Sequence, residues 1–68
     1  MEYDYRICSM SKEPRWIVRL PKSGWAENYN WDTGEWFKSD FAMEVFLGDW
    51  VSQPISEEDA FAYIKKFK

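Results

Sequence analysis

The chain has 68 residues, with nine Lys and Arg against twelve Asp and Glu, a net charge of −3 and no histidine. That length supports one core and one domain; a lone cysteine allows no internal disulfide, and without His a tetrahedral zinc set has no ligands. The acidic balance argues against a general nucleic-acid binder, whose affinity comes from neutralising phosphates.

With no such staple, the core has to be built from rings: five Trp, five Phe and four Tyr make up 21% of the chain, and each buries about 150–250 Å². Met1-Glu2-Tyr3-Asp4 opens acidic, and neither a signal-peptide run nor an apolar membrane span follows. Together with the unpaired Cys8, this gives a cytoplasmic, reducing location as the expectation.

Tyr3 to Met10 alternates as a strand, with Tyr3, Tyr5 and Ile7 on one face and Asp4, Arg6 and Cys8 on the other. Ser11-Lys12-Glu13-Pro14 is a polar turn, and Pro14 cannot donate to a ladder. Arg15 to Leu20 alternates again, with Trp16, Val18 and Leu20 expected inward and Arg15, Ile17 and Arg19 outward. After the break at Pro21-Lys22-Ser23-Gly24, a weaker strand sets Trp25, Glu27, Tyr29 and Trp31 against Ala26, Asn28 and Asn30. A hairpin follows, in which Asp32-Thr33-Gly34-Glu35 forms the turn and Trp31 faces Trp36 across the first rung.

Ser39 to Val51 fits two patterns. As a helix it has Ser39 or Asp40 as cap, good helix formers inside, and Gly48 as its stop. As a strand, Phe41, Met43, Val45 and Leu47 alternate. Both end signals favour a short helix over residues 40–47. Ser56-Glu57-Glu58-Asp59 resembles a capping box, Pro54 prevents an earlier start, and Lys65, Lys66 and Lys68 complement the dipole at the far end. Ala60, Ile64 and Phe67 make the apolar stripe of this terminal helix, flanked by Phe61 and Tyr63. The fold class is therefore α+β: a small antiparallel sheet of three to four strands with the C-terminal helix packed across one face.

Few constellations carry chemistry. Asp32-Thr33-Gly34 matches the aspartic-protease tripeptide, but Glu35 stands where a small residue is usual, and turn chemistry explains the run. Cys8 sits in an alternating strand and has no His to act as its base. Glu57, Glu58 and Asp59 complement a helix N-terminus, and Gly24, Gly34 and Gly48 stand alone rather than in a phosphate loop. These readings leave no catalytic, cofactor-binding or metal-ligating residue, and the chain is read as a non-enzyme.

Two surface features remain. Arg15 and Arg19 share a strand face that Arg6 can join, as either a solvated face or a basic patch. Trp25, Tyr29, Trp31 and Trp36 crowd into 12 residues, more ring surface than one small core readily hides. With Phe37, Arg15 and Arg19 they form the candidate interaction surface. Packing parity nonetheless sends Trp25, Tyr29, Trp31 and Trp36 beneath Phe61, Ile64 and Phe67, leaving Phe37 partly exposed.

Tyr29-Asn30-Trp31-Asp32-Thr33-Gly34-Glu35-Trp36, then Phe46-Leu47-Gly48-Asp49, then Pro54-Ile55-Ser56-Glu57-Glu58-Asp59-Ala60 resemble short proteins of Gram-positive gut bacteria. Their genes often lie among those of conjugative transposons or phages. The resemblance covers residues 29 to 67 and implies a mobile-element accessory protein; no activity is established for the group, so it supplies no functional residue. The resulting expectation is a small non-catalytic module, monomeric or weakly dimeric, that binds a protein partner through aromatic and acidic surface. Single-stranded nucleic-acid binding by exposed rings with Arg15 and Arg19, or carbohydrate binding by exposed Trp, are the alternatives.

Overall fold

A computed structural model describes residues 3–9 and 13–67. Strands β1 (Tyr3–Cys8), β2 (Ile17–Pro21), β3 (Glu27–Asn30) and β4 (Glu35–Lys38) precede helix α1 (Asp40–Leu47), strand β5 (Ser52–Ile55) and helix α2 (Glu57–Lys66). The end expected for the first strand, Met10, lies outside the described residues, as do Ser11, Lys12 and Lys68. All five strands join one antiparallel sheet in the order β4-β3-β2-β1-β5. The α+β class holds, with five strands rather than three or four. The additional one is β5, whose Pro54 disguises it; an edge strand tolerates a residue that gives no ladder hydrogen bond.

Helix α1 carries the chain from β4 at one edge to β5 at the other, packing on β1, β2 and β3 as it crosses. Helix α2 covers the opposite face, so the sheet is the middle of three layers. Each face has its own core. Cys8, Val18, Ala26, Ala42 and Val45 are buried on the α1 side, with Leu20, Phe41, Met43 and Phe46 around them. Tyr5, Ile17, Tyr29, Ala60 and Ile64 are buried on the α2 side, beneath Tyr3, Trp31, Trp36, Ile55 and Tyr63.

This arrangement corrects the one-sided reading of β2. Ile17 and Val18 are neighbours on a central strand, and both are 0% exposed because each faces a different helix. Arg19, expected outward, lies over the α2-side rings. Its guanidinium carbon is 4.1 Å from the Tyr3 ring centre and 4.3 Å from that of Trp36, and its Nε donates to Glu27 Oε1 at 2.7 Å. Trp16, expected inward, is largely exposed.

Both helices begin where the sequence places them. Ser39 Oγ accepts from the Ala42 N–H at 3.4 Å, and Ser56 Oγ from the Asp59 N–H at 3.0 Å. Gly48 closes α1 with φ of 93°, in the left-handed region that glycine enters at no steric cost. The stretch from 40 to 47 is thus helix, not strand.

Candidate functional site

The hairpin differs by two residues from the expected register, the partner of Trp36 moving from Trp31 to Tyr29. Tyr29 faces Trp36, Asn30 faces Glu35, and the turn is Trp31-Asp32-Thr33-Gly34. Asn30 is the reason. Its Oδ1 accepts from the Asp32 and Thr33 N–H groups at 2.8 and 3.2 Å, and its carbonyl accepts from the Gly34 N–H at 2.8 Å. An Asx turn therefore starts two residues before the expected turn, and Gly34, with φ of 77°, ends it. Trp36 meets Tyr29 edge-on at 5.2 Å between ring centres, in place of Trp31.

The residues singled out in the sequence are thereby separated. Tyr29 is 5% exposed, too deep to meet a partner. Trp31 lies edge-on to Tyr29, Tyr63 and Phe67, and Trp36 edge-on to Tyr5, so both belong to the α2-side core. Trp25 leaves that set: it is exposed, and its indole N–H donates to the Ser39 carbonyl at the start of α1. Arg15 is half-buried; its N–H donates to the Tyr63 hydroxyl and its carbonyl accepts from the Trp31 indole. Arg19 is engaged by Glu27 and two rings, so it joins no free patch with Arg15. Phe37 is open to solvent on the α1 side, facing Asn28 across the ladder.

A different aromatic run comes together on the α1 side. Trp16 meets Phe41 edge-on at 4.7 Å, and Phe41 meets Trp50 at 5.2 Å. Trp16 and Phe37 line the same pocket, so the run reads Phe37, Trp16, Phe41, Trp50. Trp16, Phe37 and Trp50 are 42–43% exposed. The Trp16 backbone and the Trp50 ring are held by hydrogen bonds. The Trp16 carbonyl accepts from the Cys8 N–H at 2.9 Å, and the Trp50 indole donates to Glu44 Oε1 at 3.0 Å.

Carboxylates accompany the rings. Asp32 lies in the turn beside Phe37, Glu35 is two residues before it on the same strand face, Asp40 and Glu44 stand one turn apart on α1, and Asp49 precedes Trp50. All five are exposed. Arg6 on this side of the sheet is committed to Ser52, donating to its Oγ at 2.7 Å and its carbonyl at 3.1 Å.

Chemistry of other kinds finds little footing. Cys8 is wholly buried, and burial raises its thiol pKa above the ordinary value; such a thiol is a poor nucleophile. Among the described residues no three or more His, Cys, Asp or Glu converge in a metal-holding geometry. Nor is any helix long and apolar enough to cross a membrane. No protein-family model, curated protein or solved structure matches the chain.

Sequence reasoning missed Trp50 and misplaced Trp16. Trp50 had a usable signal: it stands among Gly48, Asp49 and Val51, just past a helix stop, where a ring has little to pack on. Trp16 had none, because its alternation with Ile17 reads equally well either way until both faces are known to be covered.

Proposed function

We propose that this chain is a small non-catalytic interaction module that binds a protein partner through the aromatic and acidic surface on its α1 side. The observation that carries the reading is the contacting row Trp16, Phe41, Trp50, with Phe37 across a shared pocket from Trp16, partly open to solvent and accompanied by five carboxylates. Rings held rigid at a surface bury large areas on binding at small entropic cost, which is why Trp and Tyr dominate binding hot spots. The carboxylates select a basic partner and repel acidic ones. In keeping with its resemblance to proteins of mobile elements, the module acts in the cytoplasm as an accessory or regulatory protein, monomeric or weakly dimeric.

Single-stranded nucleic acid is the weaker reading. Stacking on rings needs neighbouring cations for the phosphates, whereas Arg19 is already paired and the open rings lie among acids. Capture from an extract of the organism that makes the protein, using wild type, Trp16→Ala, Trp50→Ala and Trp25→Ala, tests the proposal. A partner retained by wild type and Trp25→Ala and lost by the other two is the expected result. Equal capture by all four overturns it, as does single-stranded DNA binding tighter than the non-specific range of about 10⁻⁴–10⁻⁶ M.

A further inference from the structure

Asn28 is the oddity of the α1 side. It stands in the row Arg6, Val18, Asn28, Phe37 that crosses β1 to β4. Val18 is fully buried on the α1 side and Phe37 is 43% exposed, so Asn28 lies between covered and open positions of the row. Its side chain is 8% exposed, and its Oδ1 has no hydrogen-bond partner among the described residues. Strands disfavour Asn, and a buried carbonyl left unpaired is costly. A residue carrying both penalties calls for an explanation.

The explanation lies in the space beside it. A concavity of about 300 Å³ opens there, with Trp16 and Phe37 as its exposed rings and Asn28, Asn30 and Asp32 among its polar lining. Asn30 Oδ1 is spent on the turn and thereby fixes Asp32 at the rim. What the pocket offers a ligand is the exposed rings of Trp16 and Phe37 beside the deeper Tyr29 and Trp31, an unused amide oxygen and a carboxylate, with Glu35 nearby on the strand face of Phe37. An Asn amide turns about χ2, a soft torsion, so the unpaired oxygen can swing to meet a donor that enters.

We infer that this pocket takes the guanidinium of an arginine side chain in a basic segment of the partner. The inference deepens the interaction reading above and rests on it. A guanidinium is planar, stacks on rings, and gives its N–H donors in its own plane, toward Asn28 Oδ1 and the Asp32 carboxylate. A lysine ammonium carries the same charge but is more strongly hydrated and has no face to stack. A sugar also stacks on rings and donates hydroxyls to a carboxylate, yet as a neutral ligand it gains no charge–charge attraction from Asp32 and Glu35.

Nuclear magnetic resonance titration of the whole labelled protein tests this, with four probes: N-acetyl-arginine methylamide, its citrulline and lysine counterparts, and maltose. The arginine probe is expected to give saturable shifts at the Asn28 side-chain amide and the Trp16 indole N–H. Citrulline, which keeps the shape and loses the charge, should bind about tenfold more weakly, and lysine several-fold more weakly. Asn28→Leu should remove the response. Because that change alters a buried position, Asp32→Asn provides a second variant at an exposed one, and should weaken arginine binding several-fold and reduce its salt dependence.

Citrulline or maltose binding as well as arginine overturns the inference, as does an absence of shifts at Asn28 and Trp16 up to the solubility of the probe. Trp50 lies outside the pocket and separates the two readings. Partner capture that depends on Trp50 but is unaffected by Asp32→Asn removes the arginine pocket and leaves the interaction surface. Arginine binding with capture indifferent to Trp50 removes the surface as the partner's footprint and leaves the pocket as a guanidinium site.

Discussion

Cys8 and Tyr5 lie in β1 on opposite faces of the sheet, one in each core, and both are buried. Burial is the main reason the Cys8 thiol is raised above its ordinary 9.0, with Arg6 pulling the other way. Burial likewise raises the Tyr5 hydroxyl above 10.0, against a lowering hydrogen bond from Arg19. Both groups are neutral in their protonated form, so the native state holds its protons to higher pH than the unfolded chain does. Their contribution to stability is thus complete below the ordinary values and falls as pH rises, first through 9.0 for Cys8 and then through 10.0 for Tyr5. Urea midpoints followed from neutrality upward should show that decline. Cys8→Ala should remove its earlier part and keep the later one, whatever the cavity does to the absolute midpoint. A wild-type midpoint unchanged up to pH 10.0 would contradict the linkage. At this scale the sequence placed Cys8 in an alternating strand, and it lies buried in β1. The partners of Arg19 were not visible: Tyr3, Glu27 and Trp36 come from three other strands, and only the register brings them to one guanidinium.

Among the elements, α2 was the most legible, since caps, end charges and a stripe all agreed on it. Ile64 is 5% exposed at the centre of that stripe, against Tyr5, Ile17 and Tyr29 across the interface. Ile64→Asp removes the apolar side chain and leaves an unpaired carboxylate in its place. The loss should exceed the ~2–5 kcal/mol of an Ile-to-Ala truncation, and a domain this small should then be largely unfolded at 25 °C. A cooperative melt near that of wild type would show that α2 does not depend on this contact. The β3–β4 hairpin was legible as a hairpin but not in its register. Asp32 and Asn30 are both residues that start Asx turns, and the choice between them is made by what the shift does to the rings. Starting at Asn30 sets Tyr29 against Trp36 and frees Trp31 to reach Tyr63 and Phe67. Strand β5 was invisible because four residues with a central proline carry no alternation signal; its partner β1 defines it.

The whole molecule is a sheet with a helix on each face, and each face has its own core. Alternation along a strand tells which residues share a face, but when both faces are covered it cannot tell which residues are buried. Ile17 and Val18 show the limit: opposite parities, equal burial. Trp36 and Phe37 show the same point from the other side. They are neighbours in β4, yet Trp36 packs on Tyr5 and Tyr29 while Phe37 stands open beside the Asn28 pocket. Trp36→Ala should therefore cost about 3 kcal/mol or more, and Phe37→Ala about 1 kcal/mol or less, measured by urea denaturation of each. Equal losses would mean that Phe37 is structural and not available for binding. The proposed interaction surface was only partly legible for a related reason. The sequence marks which rings are plentiful, but assigning the surplus requires knowing that α1 packs on β1, β2 and β3.

The crossing of α1 from one edge of the sheet to the other also sets an order in time. The β3–β4 hairpin joins residues separated by a four-residue turn, and closures of that size take about 1–10 μs. The β1–β5 ladder pairs Arg6 with Pro54, and the Arg6 side chain reaches Ser52, 46 positions away; the entropy of closing that loop has to be met before any of these contacts form. Strand β1 thus waits for the more distant of its two partners, and the rings above it wait as well. How fast this chain folds is governed less by its aromatic hairpin than by the search of residue 6 for residue 52.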